Sequence, residues 1–334
     1  MKTSPISSTR TAKCLLLLAA LALAAVVVSL CVGSVAISPG ELLSALRGEE
    51  GTAYTILRYS RLPRTLGCLL CGCALAVSGA IIQSVLANPL AAPNIIGVNS
   101  GAGLMVALSC ALFPASLTAA PAMAFLGALG GTLLVLFLAE STGAAKTTLV
   151  LAGVAVSSMF SAGIDAVVTF VPEALNGYSD FRIGGLKHLT LDRLEPAFWI
   201  ILPTLLLALS LHREMDLLAL GTDTAHSLGL NAKGMRLILL TLAAALAGAA
   251  VSVCGLLGFV GLIVPHILRR LVGEESGPLL LGCALGGGCL VALCDVLSRV
   301  LFAPFELPVG VVLSLAGGPF FIWLLLRQRG GRGG

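Results

Sequence analysis

His266, Arg269 and Arg270 stand together at the end of the segment GFVGLIVPH, Gly258 to His266, and a histidine so close to two arginines could ligate iron or move protons. The segment before them is apolar, carries glycines three apart and is closed by a proline, which fits a chain that packs tightly in lipid and then stops at a basic boundary. Anchoring and contact with a cytoplasmic partner are therefore expected of this group. The other histidines, at 188, 212 and 226, fall in or beside loops, so no base faces a nucleophile and no intramembrane enzyme constellation assembles. Cys68, Cys71 and Cys73 have a spacing that could hold a metal, but no histidine or acid accompanies them on that segment, and packing as small apolar residues is expected. Gly143-Ala144-Ala145-Lys146-Thr147-Thr148 has Ala145 where a phosphate loop needs a glycine, so ATP is not expected to bind there. Of the acidic residues only Asp165 and Asp295 fall inside predicted spans, both near their outer ends, which disfavours a proton-coupled secondary transporter but leaves it as the alternative.

Residues of this kind must be positioned by elements that live in lipid. Hydrophobic residues make up 57% of the 334 positions and charged residues 11%, with a mean hydropathy of +1.03, well outside the range of a soluble globule. The fold class predicted is all-α and polytopic, a single membrane domain over 1–334. About twenty apolar residues cross a core of roughly 30 Å. Ten runs qualify, at approximately 14–36, 65–86, 95–113, 119–139, 147–168, 196–211, 235–256, 258–271, 278–298 and 308–326. The eighth is short and broken by glycine, so it is not expected to cross alone. The first run exceeds a signal-peptide core, despite Ser34-Val35-Ala36, and reads as an uncleaved span. With both termini in the cytoplasm, twelve of the twenty basic residues lie inside, a weak positive-inside bias. The net charge of +4 carries no nucleic-acid stripe. Gly97 and Gly101, Gly127 and Gly131, and Gly282 and Gly286 have the four-residue spacing that lets helix backbones approach.

Between the sixth and seventh runs, about 214–233, lie two short helical patterns that cannot span. Each ends in glycine, at Gly221 and Gly229, and Thr222 or Asp223 can cap the second. Leu217, Leu218, Leu220 and Leu228 would be presented together, a face suited to a groove on another protein; the alternative is an interfacial helix lying in the headgroups, though the segment has few of the basic residues that lipid attraction needs.

Several further motifs run in order along the chain. They are Arg61-Leu62-Pro63-Arg64 leading to Ser78-Gly79 and Gln83, then Asn88-Pro89-Leu90-Ala91-Ala92-Pro93, the pair Leu228-Gly229, GFVGLIVPH, and Glu306-Leu307-Pro308-Val309-Gly310 followed by Gly317-Gly318-Pro319. From about residue 55 to 328 the chain resembles the FecCD-type permeases of ABC importers, which carry ferric siderophores, haem or cobalamin; its motifs sit nearest the cobalamin-carrying members. The resemblance implies a multi-pass subunit of the bacterial plasma (inner) membrane that works by alternating access. It also implies a second copy or a close paralogue across a central path, two ATPase subunits that bind ATP and Mg, and an extracytoplasmic substrate-binding protein. The chain itself would hold no cofactor or metal and catalyse no reaction. By the same resemblance Arg61, Arg64 and Arg299 would dock the binding protein, although Asp295 and Arg299 also form a favourable helical pair. Leu217, Leu218, Leu220, Gly221, Thr222, Asp223, Ala225, Leu228 and Gly229 would couple to the ATPase. Gln83, Asn88, Leu90, Lys146 and Thr147 would line the path or gate, with Lys146 a departure from the small polar residues usual there. The segment Tyr178 to Leu186, YSDFRIGGL, departs from the family pattern and is left open between substrate and partner.

Overall fold

A computed structural model describes residues 8–33, 35, 37–142, 146–187 and 189–329, and every regular element among them is helical. Helix α1 (Ser8–Cys31) is followed by two short pieces, α2 (Pro39–Leu46) and α3 (Thr52–Ile56), and a π-turn at Leu57–Arg61 leads into α4 (Leu62–Leu86). A 3-10 turn at Pro93–Ile96 precedes α5 (Val98–Leu112), α6 (Ala119–Ser141), α7 (Lys146–Phe170), the short α8 (Ala174–Ile183) and α9 (Leu191–Ser210). Two small helices, α10 (His212–Ala219) and α11 (Thr222–Ser227), separate α9 from α12 (Ala232–Cys254), α13 (Val260–Val272), α14 (Ser276–Val300) and α15 (Val309–Arg329). The stretch 143–145, His188, Ser34 and Ala36 lie outside the described residues, as does the side chain of Lys146.

Each of the ten apolar runs meets a helix, but seven helical stretches reach spanning length and hydropathy by themselves: those ending α1, α4, α6, α7, α9, α12 and α14. α5 is shorter, as is the apolar stretch Val309–Leu324 of α15. α13 has 13 residues, about 20 Å of rise, less than a hydrocarbon core. It starts level with the middle of α4, since Gly261 packs on Gly79, and ends where Arg269 donates to Ser84 Oγ at 2.9 Å. The extended stretch 255–259 completes this passage, with Gly255 at φ 68° and Phe259 at φ 67° turning the backbone. Irregular backbone at that depth must be buried in protein and bonded. The Tyr178 to Leu186 segment does this: Leu256 N donates to Phe181 O at 3.0 Å, and Gly185 N donates to Cys254 O at 2.9 Å. Gly310 N, at the start of α15, donates to Gly184 O at 3.3 Å. The segment left open in sequence is thus a seam between α8, α12 and α15.

α4 is the hub. Small residues Gly72, Ala76 and Gly79 line the side that meets α14 and α13, and Cys71 and Ser78 the side that meets α12, so several neighbours approach closely. Of its apolar window 78% is buried, against 17% for α7. Gly72 meets the backbone of Gly287 on α14 so closely that a Cβ on either residue would overlap its neighbour. The close backbone approach expected of the Gly97–Gly101 and Gly127–Gly131 spacings is present in the same form, between Gly101 of α5 and Gly127 of α6. Gly282 and Gly286 instead face the Leu268 side chain, which a Cβ added at either would meet at 3.3 Å, and the close backbone contact of α14 belongs to Gly287. Periodicity alone could not choose among the glycines of Gly286-Gly287-Gly288.

Candidate translocation path and coupling site

On α7, Ser157, Ser161 and Asp165 recur every four residues with Ser158 beside them, forming one polar stripe on an otherwise apolar helix. With Asn94, Ile95 and Gly153 they line a concavity of 580 Å³. Ser157 Oγ lies 3.0 Å from Ser100 Oγ on α5, whereas Ser158, Ser161 and Asp165 are exposed. A carboxylate facing lipid would be costly, so this face belongs against water. Asp165 drew attention in sequence only as a possible proton site. The four-residue hydroxyl spacing that leads to it was the missed signal.

The residues expected at the gate do not converge. Gln83 is 3% exposed and turned away from that concavity. Its Nε2 donates to Gly261 O at 3.3 Å and reaches Leu262 O at 3.5 Å. The cause is Pro265: a helix would bond Gly261 O to the N–H four residues on, and proline has none. Gln83 supplies the missing donor, a structural task rather than a path contact. Gln83→Leu should cost about 1–3 kcal/mol through the orphaned carbonyl, and adding Pro265→Ala should recover most of that cost in a double-mutant cycle of detergent unfolding. Asn88 shapes the turn after α4, its Oδ1 accepting from Leu90 N at 3.0 Å. Leu90 is half-buried and Thr147 exposed on the first turn of α7, and no hydrogen bond joins Thr147 to Asn88 or Leu90 among the described residues.

Arg61, Arg64 and Arg299, expected to face an acidic partner, are instead buried at 4%, 6% and 4% exposure. Arg64 Nε pairs with Asp295 Oδ1 at 2.8 Å and its Nη1 with Glu306 Oε2 at 2.8 Å. Arg299 Nε lies 3.2 Å from Asp295 Oδ2, and its Nη2 donates to Ser29 Oγ at 2.9 Å. Arg61 donates to the carbonyls of Leu30 and Val35, and Arg299 Nη1 to Ser29 O at 3.2 Å. Ser29 and Leu30 lie in the last turn of α1, whose carbonyls have no helical partner and carry the negative end of the dipole. The helical pair Asp295 and Arg299 is therefore one edge of a five-residue cluster that closes α1 and ties α4 to α14 and to the α14–α15 connection. The sequence showed that one edge; the contacts of Arg64 with Asp295 and Glu306 and of Arg299 with Ser29 span more than 200 positions.

Burial works against the charged form of Glu306, yet the Arg64 hydrogen bond and the charges of Arg64, Lys187 and Arg299 outweigh it and hold the carboxyl below its usual range. A carboxyl lowered on folding stabilises the fold above its unfolded pKa, and that contribution is lost as pH falls through the folded value. The melting temperature should therefore fall on acidification through the carboxylate range, and Glu306→Gln should flatten that slope.

At the opposite end, α10 and α11 form the expected helix-turn-helix, with Gly221 at φ 106° and Gly229 at φ 84°. The four leucines divide. Leu218 and Ala225 pack inward and Leu217 is half-buried, while Leu220 and Leu228 are 62% and 59% exposed. Gly221 itself precedes α11 and no side chain caps it; Thr222 Oγ1 instead accepts from Arg236 at 3.4 Å, and Asp223 is exposed. Asp216 Oδ1 accepts from Ser276 N at 2.9 Å, fastening α10 to the first turn of α14. Nearby, His266 packs edge-on against Phe320 at 6.4 Å; Arg269 points inward to Ser84, and Arg270 is exposed.

Comparison with known proteins converges on one family. The haemin transport system permease HmuU of Yersinia pestis is 43% identical, over 82% of this chain and 84% of its own length. The vitamin B12 import system permease BtuC of Escherichia coli O9:H4 (strain HS) is 38% identical, over 94% and 95%. A solved metal-chelate type ABC transporter in an inward-facing conformation superposes with a TM-score of 0.83 at 29% identity, covering 95% of this chain and 99% of that one. The model of the FecCD transport family matches residues 20–327, and the chain belongs to that family of multi-pass membrane permeases.

Proposed function

We propose that the chain is the permease subunit of an ATP-driven importer that moves a metal chelate into the cytoplasm by alternating access. The observation that carries this reading is the α10–α11 elbow. It is too short and polar to span, it is fastened to α14 through Asp216, and it leaves Leu220 and Leu228 uncovered. A rigid element exposed in this way and tied to a long helix suits a separate ATPase, with ATP and Mg held there, that pushes on one end of the molecule. The α7 stripe then faces a second copy or a close paralogue across a wet path. The cargo class is a haem, ferric chelate or cobalamin, the solutes named for the relatives. The substrate-binding protein docks on the arginine end, and exposed Arg58 and Tyr59 suit that contact better than the buried cluster.

Asp165 favours a second reading, a proton-coupled carrier, because it is an exposed carboxylate within a span. Reconstitution separates the two. Uptake of haemin, ferric citrate or cobalamin into proteoliposomes that requires ATPase and ATP, and survives a protonophore, is the expected result. Uptake by the permease alone that follows a proton gradient would overturn the proposal.

A further inference from the structure

Away from the path, helices α1, α4, α9 and α14 leave a groove of 920 Å³ between them. Its walls are apolar, including Ala22 of α1, Leu69 and Leu70 of α4, Phe198 and Trp199 of α9, and Ala284 of α14. Its mouth carries two carboxylates, Asp192 and Glu195, on the first turns of α9. From Asp192 to Trp199 the groove follows seven residues of α9, a rise of about 11 Å, which fits within one leaflet of a core roughly 30 Å thick. Its acidic mouth therefore lies at headgroup depth and its apolar floor near the midplane.

Three features identify an occupant. The floor is made of alanines and leucines that leave room where larger side chains would have closed it. Neither Asp192 nor Glu195 takes part in a hydrogen bond or in any of the three ion pairs among the described residues. Arg193 is exposed but is not part of the lining, within a turn of both acids. An anionic headgroup would meet two negative charges, and a trimethylated one could not donate hydrogen bonds to them. A primary ammonium can donate to both carboxylates, with the adjoining phosphate within reach of Arg193. We propose that this groove is a binding site for a phospholipid whose headgroup bears a primary amine, its acyl chain lying between α1 and α9 and its ammonium between Asp192 and Glu195. The site concerns the lipid-facing side of the chain and stands whatever the cargo is.

Trp199 provides the readout. In a Trp323→Phe background, the full-length permease is reconstituted in bilayers containing graded amounts of phosphatidylethanolamine, phosphatidylcholine or phosphatidylglycerol brominated on the acyl chains. Brominated phosphatidylethanolamine should reach half-quenching at about a five-fold lower mole fraction than the other two, the scale of one or two surface charge contacts. Asp192→Asn with Glu195→Gln should erase that preference while leaving quenching itself, and Ala22→Phe should fill the groove and weaken quenching by all three lipids. Equal quenching by the three lipids with both carboxylates present would reduce the groove to ordinary lipid-facing surface and overturn the proposal. Absence of quenching by any of them would also overturn it, showing that a second copy of the chain covers this face.

Discussion

Leu220→Asp combined with Leu228→Asp should abolish ATP-driven uptake by the reconstituted complex while the permease still inserts and melts at its normal temperature. Both side chains are more than half exposed, so the fold gives up little when they become charged. An ATPase groove that covers them would have to bury two unpaired carboxylates, at several kcal/mol each, enough to dissociate a micromolar contact. Leu218→Asp is the control that behaves differently: Leu218 is 8% exposed, so its replacement unfolds the elbow itself. Asp216→Ala lies between the two, because it keeps the exposed leucines but unfastens α10 from Ser276. ATPase binding should then persist while uptake falls. Pull-down of the ATPase, thermal melting and uptake, measured on the same three variants, separate the roles, and normal uptake by the double aspartate variant would remove the elbow from coupling.

Asp295→Ala should be the most destabilising single change at the other end. The carboxyl is fully buried between Arg64 and Arg299, and deleting one partner of a buried charge group costs about 3–5 kcal/mol because the remaining charge is left in a poor solvent. Glu306 still serves Arg64, and Ser29 still serves Arg299, which places the expected loss near the lower figure. Replacing Asp295, Arg64 and Arg299 together by leucine or methionine should recover much of the loss. The same variant tests the docking role that the family resemblance implies for these arginines. Unchanged melting with weakened binding-protein affinity would return the cluster to the docking surface; a large drop in melting temperature with affinity preserved in the surviving folded fraction assigns it to the fold.

Length and hydropathy were enough to place a helix on each of the ten apolar runs, though not the short α2, α3 and α8, since a run of apolar residues bounded by polar ones has few other solutions in lipid. The elbow was legible for the opposite reason, being too short and polar to cross, and its two glycines marked the turns. Pairing across the chain was not legible. Gln83 reads as a path residue until Pro265 is seen beside it, because the missing N–H belongs to a helix 182 residues away. Arg64 reads as a surface charge until Asp295 and Glu306 are brought to it. The α7 stripe could have been read from its hydroxyls, but serine is small enough to pack in a helix interface, and only exposure distinguishes the two uses.

The central position of α4 has a consequence for biosynthesis. Arg64 leaves the ribosome 231 residues ahead of Asp295. At about 5–20 residues per second, the guanidinium waits for roughly ten to fifty seconds without its eventual counter-charge. Ser78, whose hydroxyl ends on Ala243 O, waits through 165 residues. The second crossing to be made is therefore among the late ones to be completed, and in the interval its arginine needs the headgroup region, the insertion channel or a chaperone of the bilayer to shelter it.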